Sequence, residues 1–403
     1  MSPPAPAAVA AAVAPSKVDD GTRCGTSVTN ADGTAGRPRY ETTFLYNEDG
    51  AADLDTFEAD VIAGFAAPDR FFPSKYFYDD AGSDVFTQMT RSSYYYLTRA
   101  ENENLATNGA AMLAAAGVCG GAATAGRPVN LIELGAGDGT KTVTLLNAIR
   151  DGGSGKDCGG GASPVTYVPI DISWGAMRSL YAAVEGTTGG LSPVRVHGYV
   201  ADYFDALDTL RDAEWTHGLG GSASDNSPGA TLPHNVVVYL GSTVGNVTGA
   251  ELVSFLAAIR ARLNDGDHLL LGYDLLQTPA KHLATYPADR TVGDLFEAIL
   301  DRMRRELDAD ISDGALDVEV VFDEADGAVL GRFVSTRDHV LAVGRGARRR
   351  DFPLRSGERI HVLLCRKFKR DGMAAAASEA GFELQQTWTD ATGRFADSLF
   401  RAV

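Results

Sequence analysis

The sequence predicts an α/β protein, a mostly parallel sheet with helices on both faces and an antiparallel hairpin at its C-terminal edge. Three observations carry this. Apolar strand-like runs alternate with helix-like runs through the middle of the chain, which is the pattern of a parallel sheet. One run, "LIELGAGDGT", leads into a glycine loop that opens a helix. After Asp274 the pattern changes to one helix and several strands without helices between them, which reads as a second α+β unit set into the first.

The first 40 residues are rich in Ala, Pro, Gly and Ser, a composition expected to be disordered. Structure is expected from "YETTFLYNEDG" onward. In the following stretch Val85, Phe86 and Met89 fall on one helical face. Strands are expected in "VNLIELGAG", "TYVPIDIS", "VRVHGYVADY", "NVVVYLGST" and "DHLLLGYDLL", with helices in "TKTVTLLNAIR", "WGAMRSLYAAVEG" and "GAELVSFLAAIRARL". Two Gly-rich stretches, "DGGSGKDCGGGASP" and "GLGGSASDNSPGATLP", read as surface insertions. Beyond them come a helix, "TVGDLFEAILDRMRREL", and strands in "LDVEVVFDEADG", "AVLGRFVSTRDHVLAV" and "ERIHVLLCRKF". A helix, "MAAAASEAG", and the strands "FELQQTWTD" and "FADSLFRAV" then return to the large sheet.

Composition narrows the function. A net charge of −17 argues against nucleic-acid and anionic-membrane partners. The basic run "GRGARRRDFPLR" reads as a solvated hairpin turn, with a docking patch as the lesser alternative. Cys24, Cys119, Cys158 and Cys365 form no CxxC pair, and the seven histidines have no ligand spacing. A reducing, cytoplasmic setting and no metal are expected. An organellar transit peptide remains the alternative at the N-terminus. No apolar run approaches the ~20 residues of a spanning helix.

The glycines Gly135, Gly137 and Gly139 spell G-x-G-x-G, a weak signal by itself. Its surroundings add three acids. Glu133 stands two residues before the loop, where it would repel a pyrophosphate and welcome an ammonium and a sulfonium. Asp171 ends the next strand and can accept both hydroxyls of a ribose. Asp202 ends the strand after that and can accept from an adenine amino group, with Tyr203 offering a ring. Three carboxylates at successive strand tips suit S-adenosylmethionine better than NAD.

Several segments together resemble one family. They are "KYFYDDAGSDVFTQMTRSSYYYLTRAENENLA", "IELGAGDGTKT", "YVPIDIS", "YLGSTVGN", "LGYDLL" and "ELQQTWTDATGRFADSLF". The chain is similar to the ergothioneine-pathway histidine Nα-methyltransferases and their fungal relatives. The resemblance implies a Rossmann-like class I methyltransferase core plus an α+β substrate domain built from two separated segments. The expected division is 1–40 as an extension, 41–99 and 276–366 as the substrate domain, and 100–275 and 367–403 as the core. The resemblance makes Gly135, Gly137 and Lys141 cofactor residues beside the three acids and Tyr203. It places Tyr78, Tyr95, Asn246 and Tyr286 at the acceptor, Asn246 on its carboxylate and Tyr78 beside its amine as the expected catalytic residue. The residue-level alternatives are an aromatic core stripe for the tyrosines and a helix cap for Asn246.

One departure bears on the acceptor. Histidine-specific members carry an "E-I-S-A-K-F"-like stretch whose Glu and Ser bind the imidazole. Here it reads "LLCRKF", with Leu363 at the Glu position and Cys365 at the Ser position. Gly331 stands where members carry a larger side chain. The acceptor site is therefore expected to be more apolar and roomier. The expected activity is N-methylation of the α-amine of an amino acid by S-adenosylmethionine. The acceptor is a small carboxylate-bearing molecule that need not be histidine. S-methylation of a thioether acid, a non-catalytic cofactor-binding relative and, least favoured, an NAD oxidoreductase are the alternatives. The sequence leaves the oligomeric state open, with a monomer plausible.

Overall fold

The computed structural model describes residues 40–45, 54–77, 80–118, 127–153, 165–186, 194–213 and 232–403. The Ala- and Pro-rich N-terminus, Cys24, Tyr78, Cys119, Cys158 and most of both Gly-rich insertions lie outside them. The elements in chain order are β1 (Tyr40–Phe44), α1 (Leu54–Ala66), α2 (Asp80–Arg91), α3 (Leu97–Ala115), β2 (Val129–Leu134), α4 (Thr140–Gly153), β3 (Val165–Asp171) and α5 (Trp174–Glu185). Then follow β4 (Arg195–Val200), α6 (Tyr203–Ala213), β5 (His234–Tyr239), α7 (Leu252–Arg260), β6 (His268–Asp274), α8 (Pro279–Leu283) and α9 (Thr291–Leu307). The chain ends with β7 (Leu316–Asp323), β8 (Ala328–Ser335), β9 (His339–Val343), β10 (Arg350–Leu354), β11 (Arg359–Arg366), α10 (Arg370–Glu379), β12 (Phe382–Thr389) and β13 (Phe395–Ala402).

The large sheet has the order β1-β4-β3-β2-β5-β6-β13-β12. From β1 to β6 neighbouring strands pair parallel, and β13 and β12 pair antiparallel at the far edge. All six residues of β2 and of β5 are buried, as strands covered on both faces require. Their side chains alternate between two cores. Val129, Leu131, Val236 and Val238 pack with residues of α3, α4 and α5. Ile132, Leu134, Val237 and Tyr239 pack with residues of α6, α7 and α10. Strand order runs outward from β2 through β3 to β4 and then returns to β5, so the sheet reverses direction between β2 and β5. A crevice opens there at the carboxyl ends of the strands, where ligands of such sheets bind.

A separate hydrophobic core joins two stretches distant in sequence. Phe57, Val61, Phe65, Phe72, Phe77 and Met89 from between β1 and β2 pack with Val292, Phe296, Ile299, Met303, Phe333 and Val362 from after β6. Helix α9 supplies Val292, Leu295, Phe296, Ile299, Met303 and Leu307 at helical spacing. Each such burial stabilises by roughly 1.5–3 kcal/mol. Strands β7, β8 and β11 form an antiparallel sheet in the order β11-β8-β7.

Three expectations change. Strand β1 pairs along its length with β4, so residues 41–44 extend the large sheet rather than opening the smaller unit. The stretch "AVLGRFVSTRDHVLAV" is two strands, because β9 leaves β8 to pair with β10 in a ribbon of its own. The basic run does form the turn between β9 and β10, yet its arginines are engaged. Arg345 and Arg348 pair with Asp55 and with the buried carboxylate of Glu58, clamping α1 onto the ribbon.

Candidate active site

The glycine loop after β2 needs glycine for conformational reasons. Gly135, Gly137 and Gly139 have φ of +71°, +59° and +78°, a region costly for residues with a Cβ. A Cβ on Gly135 would also lie 2.8 Å from the Tyr203 hydroxyl, and one on Gly139 would lie 3.1 Å from Leu180 of α5. A Cβ on Gly137 would meet nothing within 4 Å, so its backbone faces the open crevice. Gly135→Ala therefore combines backbone strain with a collision. Thermal unfolding should show a loss of about 1–3 kcal/mol, and calorimetry should show weaker binding of adenosylhomocysteine. An unchanged melting temperature would contradict this account of the loop.

Asp171 closes β3 and holds the loop from below. Its Oδ2 accepts from the Gly137 amide at 2.9 Å, and its Oδ1 accepts from the Ser173 amide at 2.9 Å. Burial raises its carboxyl, with these amides pulling the other way. Asp202, after β4, accepts from the Phe204 amide at 2.9 Å and stays open to the cavity. The Tyr203 ring stands edge-on to Tyr239, 5.8 Å away, on the same wall.

Glu133 is buried on the face of β2 covered by α3 and α4. Its Oε2 accepts from the hydroxyls of Thr142 and Tyr167, each at 2.6 Å. Burial pushes the carboxyl up to about 7, against the pull of both hydroxyls and of Lys141. A cationic ligand in this crevice favours the ionised form, and the ionised fraction grows as pH rises through 7. The affinity for S-adenosylmethionine should therefore rise between about pH 6 and 8. Glu133→Gln should flatten that rise, and a slope that survives the substitution would clear Glu133 of the effect.

Lys141, expected to face the cofactor, lines the cavity but forms an ion pair with Glu101 of α3 at 2.8 Å. Glu101 is fully buried, and its Oε1 accepts from the Gly241 amide at 2.7 Å. It ties α3 and α4 to the turn that follows β5. Sequence reasoning passed over Glu101, although a Glu inside the quoted "RAENENLA" was the available signal.

Beyond β5 the chain turns sharply. Ser242 takes a left-handed φ of +56°, rare for a residue with a side chain. Its Oγ accepts from the Asp274 amide at 3.0 Å. This strained residue launches the turn Thr243–Asn246, which brings Asn246 onto the cavity wall. Helix α7 begins only after Glu251, so Asn246 is not its cap.

The smaller core supplies the opposite wall. Tyr95, Phe86, Met89, Tyr286, Val292 and Leu295 line it, together with Leu363 and Cys365 of β11. The rings of Tyr95 and Tyr286 meet edge-on, 5.8 Å apart. The three adjacent tyrosines separate as their geometry requires. Tyr95 faces the cavity, Tyr94 lies under Arg290, and Tyr96 is buried with its hydroxyl donating to Asp274 at 2.6 Å. Gly331 does not reach the cavity. A Cβ there would lie 2.8 Å from the Phe296 ring and 2.9 Å from Leu363. The space expected to enlarge the site is filled by those two side chains, so this end of the cavity is apolar without being enlarged.

Loop, acids and apolar wall enclose one cavity of about 920 Å3. The residues fit S-adenosylmethionine: bare backbone at Gly137, carboxylates at three strand tips and an aromatic ring beside the last. No group of three or more metal-ligating side chains occurs among the described residues. Among them, no helix is long and apolar enough to cross a membrane.

Comparison with known proteins agrees with this geometry. A profile of the family described as "Histidine-specific methyltransferase, SAM-dependent" matches residues 57–402. A histidine N-alpha-methyltransferase of Mycolicibacterium smegmatis is 30% identical, over 87% of this chain and 96% of the relative. One of Mycobacterium tuberculosis is 29% identical, over 84% and 93%. An N-methyltransferase of Aspergillus flavus is 21% identical, over 83% and 82%. A glycine loop at the switch point of a parallel sheet, three acids at its strand tips and a family match across most of the chain lead to one conclusion: this protein belongs to the histidine-specific family of S-adenosylmethionine-dependent methyltransferases.

Proposed function

We propose that the protein N-methylates the α-amine of a free amino acid whose side chain is apolar or aromatic. The observation that carries this reading is the acceptor wall. Leu363 and Cys365 stand on it with Phe86, Met89, Val292 and Leu295. At positions 363 and 365 this wall presents an apolar side chain and a thiol, not the carboxylate and hydroxyl that hold an imidazole in the histidine-specific members. A site that must hydrogen-bond a polar ring loses discrimination steeply when those partners are gone.

Bound S-adenosylmethionine supplies an electrophilic methyl group on a sulfonium. The protein's part is to place an amine lone pair in line with that methyl. Asn246 and Tyr286 hold the acceptor's carboxylate and set its register. Tyr95 bounds the amine, and the family resemblance gives Tyr78 the role of fixing its lone pair. Enclosure by apolar side chains disfavours the ammonium form, so the amine sits as its free base. The core that carries Tyr95, Tyr286 and Leu363 acts as the substrate domain.

The test is an acceptor panel with isotopically labelled S-adenosylmethionine and product mass as the readout. It includes histidine, tryptophan, phenylalanine, methionine and methylthio acids. The expected result is methylation of an aromatic or apolar amino acid, with histidine at least ~100-fold poorer. Trimethylated histidine as the main product would overturn the acceptor assignment. Methylation at sulfur of a methylthio acid would move the reaction from nitrogen to sulfur.

A further inference from the structure

At the acceptor wall stands a buried polar side chain that the reaction as described does not use. Lys367 follows β11 and is 4% exposed. Its Nζ forms an ion pair with Asp274 Oδ2 at 2.8 Å and donates to the Tyr286 hydroxyl at 3.0 Å. Asp274 is fully buried, and its Oδ1 accepts from Tyr96. His282 Nδ1 lies 4.0 Å from Asp274, while its Nε2 accepts from the Gln277 amide. That bond fixes the tautomer with the proton on Nδ1, facing Asp274. Lys367 and Asp274 form this ion pair out of reach of solvent, and breaking such a pair on one side leaves a costly lone charge.

An ammonium can only donate. The lone pair of Tyr286 that meets Lys367 is therefore committed, and the Tyr286 proton must go to another acceptor. Burial pushes the Tyr286 phenol well above its ordinary range, so it keeps that proton. Tyr286 lines the cavity in hydrogen-bond contact with Cys365, whose thiol is a weak acceptor that a carboxylate would outcompete. The geometry points to Lys367 as a positioning residue: it orients the Tyr286 hydroxyl as an obligate donor into the cavity, aimed at the carboxylate of the acceptor. This inference rests on the amino-acid reading above. A free hydroxyl could serve as donor or acceptor, whereas one held by an ammonium only donates, and it donates more strongly to a carboxylate than to the neutral oxygen of its amide.

The test is calorimetric binding of L-tryptophan and L-phenylalanine, each beside its carboxamide, to adenosylhomocysteine-loaded protein. Lys367→Met is combined with Asp274→Asn so that the buried charges leave together. Wild type should prefer acid to amide by at least about tenfold, the worth of one charge-assisted hydrogen bond. The double variant should lose most of that preference, with adenosylhomocysteine affinity within about twofold. Adding Tyr286→Phe to it should cost little more, because both changes remove the same bond. Full additivity, equal weakening of acid and amide, or parallel loss of adenosylhomocysteine binding would each overturn the proposal. Tyr286→Phe alone guards against misfolding, since it deletes one hydroxyl and keeps the ion pair. If it leaves the acid preference intact, the proposal falls whatever the double variant does. Failure of every acid to bind wild type would instead sink the amino-acid reading and, with it, the carboxylate to be recognised.

Discussion

Asp171→Ala should abolish cofactor binding, with adenosylhomocysteine affinity falling by about a hundredfold or more. Two hydrogen bonds from ribose hydroxyls to a carboxylate are each worth ~1.5–3 kcal/mol, so their joint loss spans two to four powers of ten. The structure gives the substitution a second route to the same result. The same carboxylate accepts from the Gly137 and Ser173 amides. Alanine removes an acceptor from each, and the glycine loop loses the residue that fixes its height over the crevice. Asp171→Asn separates the two contributions, since it keeps one oxygen acceptor and presents an NH2 where the other amide donates. Titration calorimetry with adenosylhomocysteine reads the affinity, and thermal melting reads the loop. Affinity within about twofold of wild type would remove Asp171 from the ribose site.

Leu363→Glu combined with Cys365→Ser should create histidine methylation, raising kcat/KM for histidine by at least ~100-fold. The two positions sit two residues apart on β11 and both line the cavity. Strand alternation puts them on one face, where restored Glu and Ser side chains would reach a single imidazole. The register of β11 on β8 shifts between His361 and Leu363, and Leu363 then stands opposite Gly331. A glutamate at 363 can turn toward the cavity, because the other direction is filled by Phe296. Cys365→Ser alone should change little, as one hydroxyl without its carboxylate partner cannot hold both ring nitrogens. The double variant should lose activity on apolar acceptors, which would meet a newly buried charge. Histidine inertness in a variant that still binds adenosylhomocysteine would show that other residues set the acceptor.

Family membership was legible because its signals are local. The glycine loop declares itself through residues that must adopt positive φ. The strands around it declare themselves through runs buried on both faces. Asp171 and Asp202 are read from their places at strand ends, and Leu363 and Cys365 from an offset of two in one short stretch. The aromatic trio was legible in part: three adjacent side chains cannot share a direction, yet which tyrosine turns inward depends on Asp274, 178 residues away.

The elements that the sequence misplaced all depend on distant partners. Strand β1 has no apolar run to announce it, and its place follows from the open edge of β4. Gly331 suggested a void, but a glycine shows only what it lacks, and Phe296 comes from a helix packed over it. Glu101, Asp274 and Lys367 were passed over because a buried charge is recognised by its partner. For Lys367 that partner lies 81 residues back at Tyr286, and for Glu101 it lies at Lys141 and Gly241. By itself, then, the sequence determined a parallel-sheet methyltransferase that uses S-adenosylmethionine and has a glycine loop at its switch point, since backbone conformation and strand period are written residue by residue. Tertiary structure alone decided which side chains fill the space beside Gly331 and which buried charge stands against Tyr286, since filling a volume and pairing a charge are settled by whichever segments the fold brings together.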